Sequence, residues 1–323
     1  MKILITGSSG LTGSEAVKFF QEKEWEVVGV DNDMRSYFFN TPKKNPENNI
    51  DIRDEQAVNK LFQEYKFDVI LHTAAQPSHD WSQKEPLTDF DVNARGTLIL
   101  LEATHKFCPE ATFVHISTDK VYGEGMQRKD LWEEETRYDH WYLFDETTPI
   151  DMSMHSLFGC SKLAADLYVQ EYGHYFGMKT VCFRLGCITG KAHEGAELHG
   201  FLAYLTKCIK EGIPYKIFGY KGKQVRDQIH AYDLISACYE FILNPKVAAV
   251  YNIGGGEERS VSVLEAIKLI EKQTKKKALT SYIDENRKGD RIWDIHDVSK
   301  FQKDYPNWKY KYSLQDIIKN LCQ

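Results

Sequence analysis

Seven residues near the start of the chain have the composition and spacing of an anion cradle. Gly7-Ser8-Ser9-Gly10-Leu11-Thr12-Gly13 reads G-x-x-G-x-x-G. Glycines at this spacing let the backbone turn tightly and let a pyrophosphate reach the N-terminus of a following helix. The setting agrees. The apolar run Lys2–Thr6 precedes the turn, and Ser14–Lys23 reads as a helix with Ala16, Val17, Phe19 and Phe20 on one face. Asp31 ends the next apolar run, Trp25–Val30. A carboxylate there binds both hydroxyls of an adenosine ribose and repels a 2′-phosphate, which selects NAD over NADP. Asn32 lies beside it, and Arg35 is a nearby group able to accept a 2′-phosphate. Asp51 is placed to meet an adenine amino group and Ile52 to lie along the adenine face. Ala74, Ala75 and Gln76 follow the run Val69–Thr73. Small residues there let a cofactor lie close to the sheet edge.

These residues need a scaffold, and the chain supplies one by alternation. Strand-like runs at Lys2–Thr6, Trp25–Val30, Val69–Thr73, Thr112–Ser117 and Lys179–Arg184 alternate with helical stretches at Ser14–Lys23, Glu55–Tyr65, Leu87–His105 and Lys162–Phe176. That order predicts an α/β fold, a Rossmann doubly wound parallel sheet with helices on both faces. After about Gly186 the alternation loosens into glycines, loops and isolated helices. Residues 1–186 are therefore expected to form an NAD-binding domain. Residues 187–323 are expected to be mainly a smaller substrate-binding region, threaded back into the first. Glu124–Asp151 is irregular and rich in acidic and aromatic residues, and an insertion of that length points to function.

Composition narrows the field. The 323 residues are 42% hydrophobic, enough for one large domain or one with a smaller partner. A net charge of -6 gives no basic field for nucleic acid. No run reaches the ~18 apolar residues of a membrane span, and MKILITGSSG has no secretory pattern. The seven cysteines make no Cys-x-x-Cys pair, so a cytoplasmic protein with reduced thiols and no metal site is expected.

Several segments together resemble one family. TGSSGLTG, DIRD, HTAAQPS, DVNARGT, ISTDKVYG, FGCSK, GKQVRDQIHAYDL, YNIGGG and GDRIWDI are similar in type and order to the extended short-chain dehydrogenase/reductase family, in its nucleotide-sugar epimerase and dehydratase branch. DKVYG, TRYD, HSLFGCSKLAAD and GKQVRDQIHAYDL resemble members acting on CDP-sugars at C2. The resemblance implies a bound NAD that takes a hydride from a sugar carbon and returns it to the other face, a nucleotide-sugar substrate, and a homodimer built on the helices around Leu87–His105 and Lys162–Phe176. By position it implies that Thr118 hydrogen-bonds the reacting sugar oxygen. Asn93 braces the sheet and active-site helix beside the cofactor, and Lys162 binds the nicotinamide ribose. His79 contacts substrate, and Gln224, Arg226 and Arg291 hold the substrate diphosphate. Glu197, Leu198, His199 and Gly200 line the sugar or nucleotide pocket. Asp119-Lys120 stands where the dehydratases carry Asp-Glu. Lys120 cannot act as that glutamic acid, which disfavours dehydration.

One position departs from the pattern. The residue four before Lys162 is a tyrosine in the family and Phe158 here. The phenol shuttles the proton that accompanies the hydride, and losing such a group typically costs about 10²–10⁴ in rate. Three origins are open: an engineered replacement, a natural branch with another acid/base, or a binding relative without turnover. If another group acts, His79, His155, Cys160 and Thr118 are the candidates by position.

Overall fold

The computed structural model describes residues 1–39, 48–124, 130–141, 143–190, 200–287 and 289–323. They form two compact units. The first is Met1–Val121, Leu157–Arg184 and Leu234–Tyr251, and the second is Tyr122–Ser156, Leu185–Asp233 and Asn252–Gln323.

The first unit is built on a six-stranded sheet. Its strands are β1 (Lys2–Thr6), β2 (Glu26–Val30), β3 (Val69–His72), β4 (Thr112–Ile116), β7 (Thr180–Leu185) and β11 (Ala249–Ile253), in the order β11-β7-β4-β3-β1-β2. The pairs β1–β2, β1–β3, β3–β4 and β4–β7 are parallel. The middle strands are apolar on both faces because helices cover both, as a parallel sheet requires. The helices of this unit are α1 (Leu11–Glu22), α2 (Met34–Phe39), α3 (Glu55–Glu64), α4 (His79–Lys84), α5 (Pro86–Phe90), α6 (Gly96–Phe107), α7 (Ser156–Phe176) and most of α9 (Ala231–Leu243). From β1 the chain steps to β2 on one side and later to β3 on the other. The strand order reverses there, so a crevice opens at the carboxyl ends of β1 and β3, where ligands of such sheets bind. This is the Rossmann architecture anticipated from the alternation.

The second unit has shorter strands. β12 (Ser260–Ser262), β10 (Val225–His230) and β14 (Trp293–Asp294) form one sheet, with β8 (Cys187–Thr189) pairing β10. β13 (Thr280–Ile283) pairs β9 (Tyr215–Phe218), and β5 (Trp132–Glu133) pairs β6 (Tyr138–Asp139). Helices α8 (Phe201–Glu211), α10 (Val263–Thr274) and α12 (Leu314–Cys322) meet over Leu205, Ile209, Ile270 and Ile317, and α11 (Ser299–Asp304) lies before α12.

Three expectations change in detail. The stretch read as one helix over Leu87–His105 is α5 and α6 joined by a single π-turn at Asp91–Arg95. The helix expected from Lys162 begins at Ser156. The region after Gly186 holds ordered sheets. Several of its strands have only two or three residues, too short to display a period that sequence alone reveals.

A buried ion pair clamps α7 to the sheet. Asp166 is fully buried and accepts from Ser117 Oγ at 2.6 Å and from Arg184 at 2.7 Å. Removing one partner strands a desolvated charge. Asp166→Ala should therefore cost about 3–5 kcal/mol, whereas Asp166→Leu with Arg184→Met should recover most of it. Guanidinium unfolding midpoints test both, and a loss below about 1 kcal/mol in Asp166→Ala would refute the clamp.

Candidate functional site

The glycine turn closes on the loop after β3. Gly7 has φ +70, and a Cβ there would stand 2.8 Å from the Ala74 backbone. A Cβ on Gly13 would run into the Gly7 carbonyl oxygen. Both positions demand glycine for space, and Gly7 also for its backbone angle. Gly10 is the N-cap of α1 and offers no side chain to its first N–H groups. By contrast, α3, α10 and α12 are capped by Asp54, Ser262 and Ser313. An uncapped helix start lined by glycine is a seat for a phosphate. Asp31 turns back onto the same loop, accepting from Ser9 N at 2.9 Å and Asp33 N at 2.7 Å. Leu11 and Arg35 are half-buried nearby in sequence. The cradle fits a dinucleotide.

The neighbouring residues divide. Asp51 is occupied by Arg53, at 2.6 Å, and by Asn32, at 2.9 Å. Burial acts to raise its pKa, and these bonds outweigh it, so the carboxyl lies below its ordinary value. Ile52 is buried in the core, and a Cβ on Gly96 would press on its side chain. Ala74 is half-buried and Ala75 exposed.

Behind the crevice lies a chain of buried polar groups. Gln76 N donates to Asn93 Oδ1 at 2.9 Å, and Asn93 Nδ2 donates to Gln76 O and to Ser161 Oγ, each at 3.0 Å. Ser161 Oγ donates to Phe158 O at 3.0 Å. Asp89 joins through Gln76 Nε2 at 2.7 Å. Burial raises its pKa, opposed by the bonds from Ser161 and Gln76. Asn93 sits in the π-turn, a distortion often found at functional sites. Asp89 and Ser161 escaped the sequence reading, because nothing in their local spacing marks them as partners of Asn93.

Lys162 is buried one turn beyond Phe158. Its ammonium donates to Ile116 O at 2.6 Å and lies 3.3 Å from His115 Nε2. Burial pushes its pKa down to about 8, opposed by Asp166, Cys182 and Asp89. Burial, reinforced by Lys162, pushes His72 down to about 3 and His115 well below its ordinary value. Both histidines are thus neutral beneath the lysine. Thr118 is buried and donates to Asp119 at 3.0 Å, while Lys120 is half-buried. The His79 ring meets Phe158 edge to face, with centroids 5.1 Å apart.

The second unit holds the other group of expected residues. Arg226 is buried, donating to Asp290 at 2.5 Å, to Val225 O and to Arg291 O. Arg291 is buried, with Asp294 at 3.4 Å and Gly123 O at 2.9 Å. Gln224 Nε2 donates to Phe218 O, and its buried Oε1 has no partner among the described residues. The carboxylates of Asp290 and Asp294 are neighbours that sequence reasoning missed. Glu197, Leu198 and His199 lie outside the described residues. Among the described residues no helix is long and apolar enough to cross a membrane.

Comparisons place this geometry among known proteins. The family described as "NAD dependent epimerase/dehydratase family" matches residues 3–254. The chain is similar to CDP-paratose 2-epimerase of Salmonella typhi, 33% identical over 99% of this chain and 98% of that protein. It is also similar to dTDP-glucose 4,6-dehydratase of Salmonella typhimurium, 29% identical over 100% of this chain and 92% of that one. Among solved structures, UDP-glucose 4-epimerase of Thermotoga maritima with UDP-glucose superimposes with a TM-score of 0.84 at 27% identity, over 99% of this chain and 97% of that one. The Thermus thermophilus UDP-glucose 4-epimerase complex with NAD gives 0.82 at 26%, over 100% and 98%.

The buried ammonium has a measurable signature. Between pH 8 and 10.5 the unfolded chain keeps a proton on Lys162 that the folded chain has released. Stability gained from this group therefore rises with pH through that window, and below it the full penalty remains, on the order of 3 kcal/mol. Unfolding free energies of the protein and of Lys162→Met should differ by an amount that grows in favour of the lysine form across the window. A flat difference would mean that the ammonium is not desolvated.

Proposed function

This chain belongs to the NAD-dependent epimerase/dehydratase family, and from that membership we propose that it is an NAD-dependent nucleotide-sugar epimerase acting at C2 of a CDP-hexose. The observation that carries the reading is the end-to-end similarity to CDP-paratose 2-epimerase. Two features of the site support it. The glycine cradle suits a dinucleotide, and Lys162 presents a buried cation at the end of β4. Lys120 supports epimerisation over dehydration, because a protonated lysine cannot replace the glutamate of an Asp-Glu acid and base pair as the proton acceptor.

In this reading the first unit holds NAD. Gly7, Gly10, Leu11 and Gly13 seat its pyrophosphate, and Asp31 takes the adenosine ribose hydroxyls. Lys162 takes the nicotinamide ribose. The bound cofactor supplies a reversible hydride acceptor. Thr118 orients the sugar oxygen, and Asn93 keeps the loop after β3 fixed against α7. The second unit holds the nucleotide sugar. Arg226 and Arg291 receive its diphosphate, with Asp290 and Asp294 keeping both guanidinium groups in place before it arrives. A fixed fork of donors suits two bridged phosphates. Leu167, Tyr168 and Tyr175 are exposed on α7 and support a homodimer through that helix. Seven free thiols support a reducing, cytoplasmic setting, and a role in making sugar polymers is proposed from the nucleotide-sugar substrate class alone. A second reading, a nucleotide-sugar-binding relative without turnover, is favoured by Phe158 alone.

Incubation with CDP-, UDP-, GDP- and dTDP-sugars, followed by NMR of the products, tests the proposal. A C2 epimer should form from a CDP-sugar with no added cofactor consumed. An accumulating dehydrated sugar, or no product from any donor, would overturn it.

Two binding measurements accompany it. NAD should bind more tightly than NADP, and Asp31→Ser should narrow the gap. Arg226→Lys and Arg291→Lys should each weaken nucleotide-sugar binding by about 1.5–3 kcal/mol and leave NAD affinity unchanged. Unaltered sugar-nucleotide affinity in both variants would remove the two arginines from the site.

A further inference from the structure

Oxidising a sugar carbon and reducing it again requires a group that removes a proton from the hydroxyl and later gives it back. Phe158 offers none. The other candidates are placed differently. Lys162 is engaged with Ile116 O and His115. Thr118 is a neutral hydroxyl donating to Asp119. Cys160 is exposed and lies two residues past Phe158, on another side of α7. His155 Nε2 lies 2.9 Å from Asp151 O. His79 is the candidate whose ring touches Phe158, with planes at 72°.

That contact is built in. Ser78, which precedes His79, donates its N–H to Gln76 Oε1 at 2.6 Å and caps α4. Gln76 is bonded to Asn93, Asn93 to Ser161, and Ser161 to the carbonyl of Phe158. The backbone beside His79 is thereby tied, through three buried side chains, to the backbone of Phe158. His79 is half-buried rather than sealed in the core.

We propose that the His79 imidazole is the catalytic acid/base of this protein, doing beside Phe158 what a phenol would do in its place. The inference rests on the epimerase reading. In the first half-reaction the sugar O–H bond breaks and its proton passes to the neutral imidazole. The C–H bond at the same carbon would break as the C=O bond forms, its hydrogen and electron pair going to the hydride acceptor that a bound NAD would supply. In the second half the imidazolium returns its proton to the oxygen, while the reduced cofactor would supply the same hydride to the opposite face of the carbon. Nothing else is consumed. An imidazole changes charge near neutral pH and suits both directions.

Four proteins test it: the protein itself, His79→Gln, Phe158→Tyr, and the double variant. His79→Gln should lower kcat about 10²–10³-fold while KM and the bound NAD released on denaturation stay within about twofold. The double variant, with a phenol restored, should exceed His79→Gln in kcat by about tenfold or more. A readout independent of turnover is carbethoxylation of His79 by diethyl pyrocarbonate, followed by mass spectrometry, which the nucleotide sugar should slow. Three results overturn the assignment. They are an undiminished kcat in His79→Gln, a loss of NAD or sugar-nucleotide binding as large as the loss in kcat, and labelling unaffected by the sugar nucleotide. If neither the protein nor Phe158→Tyr epimerises any nucleotide sugar, the epimerase reading itself falls and takes this one with it.

Discussion

A lysine ammonium held out of water is the constraint on which the first unit depends. Lys162 has one backbone carbonyl and one neutral histidine as partners, and burial has already pushed its pKa down to about 8. Such a group is costly unless a polar ligand completes its shell. The sheet is arranged to keep it there. Its carbonyl partner is the last residue of β4, and Ser117 directly after β4 bonds Asp166, one turn beyond Lys162 on α7. Arg184 on β7 grips the same carboxylate. Two adjacent parallel strands thus fix the helix that carries the charge. A cation and its counter-charge are held at separate levels of one helix rather than neutralising each other.

The second unit handles charge in the opposite way. Arg226 and Arg291 are each buried beside an aspartate, and several donors are spent on backbone carbonyls. Compensation of this kind lets guanidinium groups sit preformed in a dry setting, where lone charges would be expelled or would distort the fold. It also lowers the net attraction that an incoming anion feels. A diphosphate seated there, as proposed, would gain by exchanging with carboxylates as well as by meeting cations. Among the described residues Lys162 has no bonded carboxylate, whereas the arginines have theirs, so the two units present different electrostatic settings.

What was legible in the sequence was local. The glycine turn, β1 and the covering helices follow from spacing and period, and the structure reproduces β1 residue for residue. Lys162 and Asn93 are recognisable by their flanking motifs. The π-turn was not legible, because Asp91–Arg95 carries the same helical pattern as its neighbours and differs only in how the carbonyls pair. The short strands of the second unit were not legible either, since two or three residues cannot show alternation. A motif names the arginine and is silent about its counter-ion, so the pairing of Arg226 with Asp290 appears only once β10 and the segment before β14 come together. Asp51 teaches the reverse lesson. Its side chain is engaged two residues away by Arg53, a local bond that competes with any role toward a ligand.

Phe158 belongs to this separation of scaffold from chemistry. The network that positions it runs through its carbonyl oxygen, by way of Ser161, Asn93 and Gln76. None of those bonds uses the side chain. A phenyl ring therefore fills the position without disturbing the helix, the π-turn or the loop after β3. The same network ends at the backbone of Ser78, so the chain beside His79 is tied to the backbone of Phe158. The positioning bonds around residue 158 therefore do not depend on whether a hydroxyl stands there. A site organised by backbone bonds can move its proton chemistry to a neighbouring ring more easily than one in which the catalytic side chain is itself a structural tie.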